Sequence, residues 1–102
     1  PRNIARLTGR NPFAGARVGN ASPALAEELN FDSAASGVIV LDVAARSTAA
    51  RLGFRPRDII REVNGERVEH VEDLKRIAAQ RFKRWRMVVR RNGQNIGFEV
   101  TE

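Results

Sequence analysis

The sequence predicts a mainly β fold with two helices, built as a small, partly open antiparallel β-barrel that the helices cap. Residues 38–43 are apolar at almost every position, as in a strand that is covered on both faces. Asn92-Gly93 lies between residues of alternating polarity, which is a strong signal for a hairpin. Apolar residues at helical spacing predict a helix from about Val71 to Gln80.

Two further helical segments are predicted from capping residues. Ser22-Pro23 starts a helix over about residues 23–29, because Ser caps free backbone amides and Pro suits the first helical position. Asn30 can end that helix, since Asn tolerates the left-handed backbone of a C-terminal cap. Ser47 can cap a short turn of helix over residues 48–52.

Gly53 ends the short helix and leads into the next strand. Residues 58–63 read as that strand, and Asn64-Gly65 then turns the chain.

The register of the last hairpin follows from its turn, with Arg91 opposite Gln94. Counting outwards lays six apolar side chains on one face: Trp85, Met87, Val89, Ile96, Phe98 and Val100. The opposite face pairs Arg86 with Glu99. A slip by one residue would put arginines into the core, so the register should be unique.

The length of 102 residues fits one domain, because a chain of this size buries roughly 60 to 70% of its unfolded surface. Residues 1–12 lack hydrophobic periodicity and read as a linker or N-terminal arm. The folded domain is expected over residues 13–102. No apolar run approaches the ~20 residues that a membrane-spanning helix needs, so no membrane span is expected.

Composition argues against catalysis and metal binding. The chain has no cysteine and a single histidine, His70, so neither a disulfide, a thiolate metal site nor a histidine zinc site is expected. No Ser lies in a Gly-x-Ser-x-Gly elbow, and a Ser-His-Asp triad cannot be assembled. We therefore expect a non-catalytic domain with no cofactor.

The net charge of +6 leaves a nucleic-acid interface open. The basic residues concentrate in one stretch: Arg81, Lys83, Arg84, Arg86, Arg90 and Arg91. Only Trp85 is interleaved with them, and the hairpin register turns it inwards, so the aromatic stacking platform of single-strand binders is missing. A solvated face, or a contact with a neighbouring domain, is the favoured interpretation, and no nucleic acid is expected as a partner.

Three segments together carry a resemblance to a known family. They are residues 11–18 (NPFAGARV), residues 22–29 (SPALAEEL), and residues 52–60 (LGFRPRDII) with the following Val63-Asn64-Gly65. The chain resembles a bacterial PDZ domain, most closely the second PDZ domain of periplasmic Do-type serine proteases of the HtrA family, over essentially residues 11–102.

The resemblance implies a circularly permuted PDZ-like fold and a place outside the catalytic part of a larger protein. That parent would be a trypsin-like serine endoprotease (a hydrolase), periplasmic, homo-oligomeric and active in protein quality control. The chain starts at Pro1 without a charged or apolar leader, so any signal peptide is expected outside this sequence.

Departures from the family pattern fall in turns. The family usually has Gly at the position of Arg57, Pro-Gly at Ala45-Arg46, Pro at Thr48 and Gly at Asn30. Arg disfavours the positive φ that Gly adopts freely, so the local turn geometry at Arg57 and Arg46 is in question.

The resemblance also implies a peptide site. Phe13, Ala14, Gly15 and Ala16 look like the family's carboxylate-binding loop, whose successive backbone amides would point at a peptide's terminal carboxylate. The alternative is a turn that starts a strand and binds nothing. Residues 16–20, including Arg17 and Val18, would be the strand edge to which a peptide adds.

The helix predicted from about Val71 to Gln80 would form the other wall of that groove. Its candidates are Leu74, Lys75 and Ala78, although plain core packing is the alternative for Leu74. The function expected is capture of C-terminal or unfolded, extended peptide segments by β-strand addition, with the protease domain and other PDZ domains of the parent as further partners.

Two other functions stay open at this point. The domain could be a structural PDZ that holds the subunits of a protease cage together without binding substrate. It could also be a basic nucleic-acid-binding barrel, in which case binding to oligonucleotides would depend steeply on salt.

Overall fold

A computed structural model describes residues 4–21 and 37–101 of the chain. Within them the strands are β1 (Ala5–Arg6), β2 (Ala16–Asn20), β3 (Val38–Val43), β4 (Ile59–Val63), β5 (Glu66–Arg67), β6 (Arg84–Arg91) and β7 (Gln94–Thr101). The helices are α1 (Thr48–Leu52) and α2 (Val71–Ala78). The helix expected over residues 23–29, with its cap at Asn30, lies outside the described residues.

The described strands form one antiparallel sheet in the order β1-β2-β3-β4-β6-β7, with β5 paired to β4. The order ends at β1 and β7, so the sheet is open. The core lies on its inner face and contains side chains from most elements, among them Phe13, Ile60, Leu74 and Trp85. The predicted class, mainly β with helices on an antiparallel sheet, is confirmed. Across the described ranges no helix has the length and apolarity to span a bilayer.

The C-terminal hairpin has the register that its Asn-Gly turn predicts. Arg91 lies opposite Gln94, and the pairing continues unbroken to Arg84 and Thr101. Trp85 is buried. Met87 and Val89 of β6 belong to the core with Trp85, whereas the apolar side chains of β7 are half-buried against it, because β7 is the edge strand.

The polar face of the hairpin also follows the prediction. Glu99 on β7 receives two arginines of β6, with 3.3 Å to Arg84 and 3.7 Å to Arg86. All three side chains are exposed, so the pairing marks the outer face and adds little stability.

The short helix α1 has the predicted bounds and caps. The Ser47 hydroxyl accepts a hydrogen bond from the backbone N–H of Ala50 at 3.1 Å, and Gly53 ends the helix in the left-handed conformation. α2 begins at Val71 as expected and ends at Ala78, two residues before the predicted end. Helix ends fray over such a distance, and Ala79 carries the last helical bonds.

The expectation of a linker over residues 1–12 needs a correction from residue 5 onwards. Ala5 and Arg6 pair with β2, and Leu7 is only 5% exposed within the core. Asn11 is buried as well. Three residues are too few to show a period in the sequence, so the pairing was not visible there.

A buried ion pair joins the last hairpin to the turn before β4. Asp58, 1% exposed, accepts two hydrogen bonds from the Arg91 guanidinium at 2.7 and 2.8 Å. The same carboxylate accepts the backbone N–H of Arg55, and Arg91 also donates to the carbonyl oxygen of Gly53. The hydrogen bond to Asp58 raises the pKa of Arg91 above its ordinary value. The cluster therefore ties together the end of α1, the start of β4 and the end of β6.

The turns that depart from the family pattern keep the backbone that glycine would favour. Arg57 has φ of 78° and Arg46 has φ of 66°, both in the left-handed region. The question raised by the sequence is thereby answered: the turn geometry is kept, and arginine adopts it at a conformational cost.

Replacing Asp58 by Asn should lower the free energy of unfolding by about 2–3 kcal/mol, because it leaves the largely buried Arg91 without its counter-ion. Urea unfolding followed by Trp85 fluorescence measures the loss. Glu99→Gln is the matched control, since it neutralises an exposed pair and should cost less than about 1 kcal/mol. Equal losses in the two variants would contradict the assignment.

Replacing Arg57 by Gly should raise the free energy of unfolding by about 0.5–1 kcal/mol, because Gly adopts the left-handed backbone without strain. Arg55→Gly is the control: Arg55 is also exposed but has an ordinary backbone, so Gly there should cost about 0.5–1 kcal/mol. Thermal unfolding of both variants decides, and a loss of stability in Arg57→Gly equal to that in Arg55→Gly would refute the prediction.

Candidate functional site

A groove runs between strand β2 and helix α2. Its two walls are joined at one end by Asn20, whose side-chain oxygen accepts the backbone N–H of Val71 at 2.7 Å. Val71 starts α2, so this bond satisfies one of the free amides at the helix N-terminus. The other end of the groove is closed by the loop over residues 11–15, which leads into β2.

The helical wall presents one side of α2 to the groove. Leu74 is fully buried in the core below it. Lys75 and Ala78 face a small cleft that they share with Arg6, Leu7, Thr8, Asn11 and Ala79. Of the three helix candidates, two therefore line the groove, and Leu74 packs in the core as the alternative interpretation allowed.

On the strand wall, alternate residues point in opposite directions. Ala16 and Val18 are buried on the core side, whereas Arg17 is exposed on the outer side. Arg17 forms an ion pair with Asp42 of β3 at 2.6 Å. The candidate strand residues are thus adjacent, but Arg17 directs its charge away from the core side.

The loop before β2 uses most of its own backbone amides. The N–H of Phe13 donates to the side-chain oxygen of Asn11 at 3.0 Å, and the N–H of Ala14 donates to the Asn11 carbonyl oxygen at 3.3 Å. The N–H of Ala16 donates to the Phe13 carbonyl oxygen at 3.0 Å. The resemblance implies successive free amides, and of the three at residues 14–16 those of Ala14 and Ala16 bond within the turn.

Gly15 is the exception in this loop. Its N–H donates out of the turn to the carbonyl oxygen of Leu7 at 2.9 Å. Its φ is +97°, and a Cβ at this position would overlap the side chain of Ser47. Gly is required here by the backbone conformation and by close packing against the cap of α1.

Phe13 belongs to the core. It has no exposed surface, and its ring packs 5.6 Å from Phe54 and 6.1 Å from Trp85, centre to centre. The aromatic ring therefore anchors the loop rather than lining the groove.

The groove contains an extended piece of the chain itself. β1 pairs antiparallel with β2, with Ala5 opposite Val18 and Arg6 opposite Arg17. Leu7 continues the pairing through its N–H, which donates to the Ala16 carbonyl oxygen at 2.9 Å. The edge of β2 that faces α2 thus takes up an extended backbone, with a leucine side chain buried in the groove.

Asp42 forms a second group of contacts beside this edge. Its carboxylate binds Arg17 of β2 and Arg6 of β1, the latter at 3.0 Å. These hydrogen bonds, first the one from Arg17, lower the pKa of Asp42 below its ordinary value. The carboxylate is therefore charged throughout the neutral range and available to a guanidinium.

Several groove residues were missed by reasoning from sequence. Asn11 offered the best signal, because Asn before Pro favours a side-chain turn of the kind observed. Asp42 was visible as the one acid within an apolar strand. Arg6 and Leu7 had no local signal, since their contacts join segments that lie apart in sequence.

Within the basic stretch of residues 81–91, Arg91 lies apart from Arg84 and Arg86. Arg91 turns to the buried Asp58, and Arg84 and Arg86 engage Glu99. Trp85 is 1% exposed, so no base could stack on its ring.

A groove between a sheet edge and a helix, closed by a glycine turn, defines the class of domain that binds peptides as added strands. The PDZ domain family model matches residues 39–91. The chain belongs to the PDZ domain family. The family model that matches is that of a PDZ domain, and the curated relatives are HtrA and DegP-like proteases.

Curated relatives are serine proteases. Serine protease HTRA1A of Danio rerio is 30% identical over 96 residues, which are 89% of this chain and 20% of the relative. A probable periplasmic serine endoprotease, DegP-like, of Chlamydia muridarum is 38% identical over 63 residues, 62% of this chain and 13% of the relative. The chain spans about a fifth or less of the length of these relatives.

Solved structures of similar fold contain peptides. The HtrA3 PDZ domain bound to a phage-derived ligand (FGRWV) matches with a TM-score of 0.74 and 26% identity, covering 99% of this chain and 88% of that one. The HtrA-type protease AlgW with decapeptide matches with a TM-score of 0.72 and 29% identity, covering 85% of this chain and 27% of that one.

Replacing Gly15 by Ala should lower the free energy of unfolding by about 2 kcal/mol or more, because the methyl group meets Ser47 and the backbone is left-handed. Chemical unfolding measures the loss. The double variant Gly15→Ala, Ser47→Gly should recover only the steric part. Unchanged stability of Gly15→Ala would show that the loop does not pack on α1 as described.

Proposed function

We propose that this domain captures extended peptide segments by adding them as a strand to β2, in the groove beside α2, for substrate recruitment or regulation. The observation that carries the proposal is the pairing of residues 5–7 with β2, since it gives an extended backbone and a buried leucine at this edge. The peptide-bound relatives of the same fold support it.

The groove favours a ligand with an apolar residue, and that residue need not be the last one of its chain. Leu7 is buried, yet the chain continues past it to Thr8 and Gly9. The Gly15 amide is satisfied by an uncharged carbonyl oxygen. Internal segments as well as C-termini are therefore proposed ligands, with Lys75 and Ala78 on the helical side.

We further propose that the parent protein is an HtrA-like serine endoprotease that acts in the periplasm in protein quality control. The DegP-like relatives support the location and the resemblance supports the oligomeric parent, in which the protease domain and other PDZ domains would be partners. A purely structural role within a protease cage would leave the groove without peptide.

The binding test uses a synthetic peptide ending in Ala-Arg-Leu, prepared with a free carboxylate and as its amide. Binding should shift the amide NMR signals of Gly15, Val18, Lys75 and Ala78. Because one loop amide is available rather than three, the acid should bind only about fivefold more tightly than the amide.

The control peptide carries Asp in place of the final Leu and should not bind, since a charge would enter the apolar groove. An acid preference far above tenfold would favour the full carboxylate nest instead. Shifts confined to the outer face around Arg84 and Arg86 would refute the groove assignment.

A further inference from the structure

The β2 edge is occupied by the chain's own N-terminal segment. The segment makes a continuous ladder: Ala5 and Arg6 pair with β2, the Leu7 N–H donates to Ala16, and the Leu7 carbonyl oxygen accepts from Gly15. These backbone groups are the ones that an added peptide strand would use.

Side chains hold the segment in the same manner as a ligand. Leu7 is 5% exposed, and half-buried Ala5 packs against the core from the same side. Arg6 points outwards, donating to the Gly15 carbonyl oxygen at 2.8 Å and to Asp42 at 3.0 Å. The pattern is apolar, basic, apolar, as expected of an extended strand with one face in a groove.

One sheet edge can pair with one strand at a time. From these contacts we propose that residues 4–8 are an intramolecular ligand that occupies the groove and competes with peptides. The proposal rests on the proposed function, since competition requires that peptides bind the same edge. The tethered segment is at high effective concentration, so it sets a threshold that an incoming peptide must exceed.

The retaining contacts are suited to displacement. The Arg6–Asp42 pair is exposed on both sides, with 44% and 41% of the side-chain surface accessible, and exposed pairs hold weakly. A peptide with an arginine before its buried apolar residue could form the same pair. Asp42 thus has two roles in this proposal. It holds residues 4–8 on the edge through Arg6, and it selects peptides in which a basic residue precedes an apolar one.

The test compares variants of the 102-residue chain that neutralise either Arg6, within the segment, or Arg10, which follows it. Arg6→Gln removes the ion pair with Asp42. Arg10→Gln removes an equal charge from an exposed residue that does not contact Asp42 or Gly15. The probe is a peptide of residues 4–8, blocked at both ends, and its Kd is measured by calorimetry.

Arg6→Gln should bind the probe up to about fivefold more tightly than the wild type, since an exposed pair has been lost. Leu7→Ser removes the apolar anchor and should tighten binding on the order of tenfold or more. Arg10→Gln should bind as the wild type does. In the Leu7→Ser variant the Gly15 amide should also exchange its hydrogen faster, because its acceptor leaves.

Equal affinities in all four proteins would overturn the intramolecular ligand and leave the proposed function standing. Absence of binding in every protein would overturn both. Should Leu7→Ser fail to fold, Arg6→Gln and the Gly15 amide of the wild type decide: a freely exchanging Gly15 amide in the wild type would mean that the segment does not occupy the edge, and the proposal would fall.

Discussion

The arrangement of the groove depends on the buried ion pair between Asp58 and Arg91. Arg91 also donates to the carbonyl oxygen of Gly53, so the pair fixes the C-terminal end of α1 against the sheet. At its other end α1 receives the loop before β2, through the N–H of Ala49 on the Ala14 carbonyl oxygen. The buried ion pair is thus connected to the groove loop by hydrogen bonds at the two ends of α1.

The loop illustrates how packing limits the chemistry of a site. Gly15 turns tightly against Ser47, and the buried Asn11 takes the amides of Phe13 and Ala14. A loop that satisfies its own amides is stable without a ligand, since buried unpaired N–H groups are costly. This internal bonding leaves the Gly15 amide to donate to the strand that lies beside β2, whether that strand belongs to this chain or to another.

The edge of β2 would otherwise be an exposed template for pairing with any extended chain. Residues 5–7 cover it, and the Asp42 carboxylate, whose pKa is lowered by Arg17 and Arg6, contacts Arg6 from the outer side. Protection of an edge and competition for a ligand site are two consequences of the same contacts. Under the proposed function, how readily residues 5–7 leave the edge would decide which peptides the domain binds.

The sequence by itself determined the elements whose signals are local. The Asn92-Gly93 turn specified the hairpin register, and Ser47 with Gly53 bounded α1, because turn and cap chemistry acts over a few residues. The family resemblance suggested the β2 edge and α2 as the walls of a peptide groove, which stays a proposal. Tertiary structure alone decided that Leu7 fills the groove, that Asp42 binds Arg6, and that the loop amides turn inwards. Each of these contacts joins segments with no pattern linking them in sequence, so only the packed fold brings the partners together.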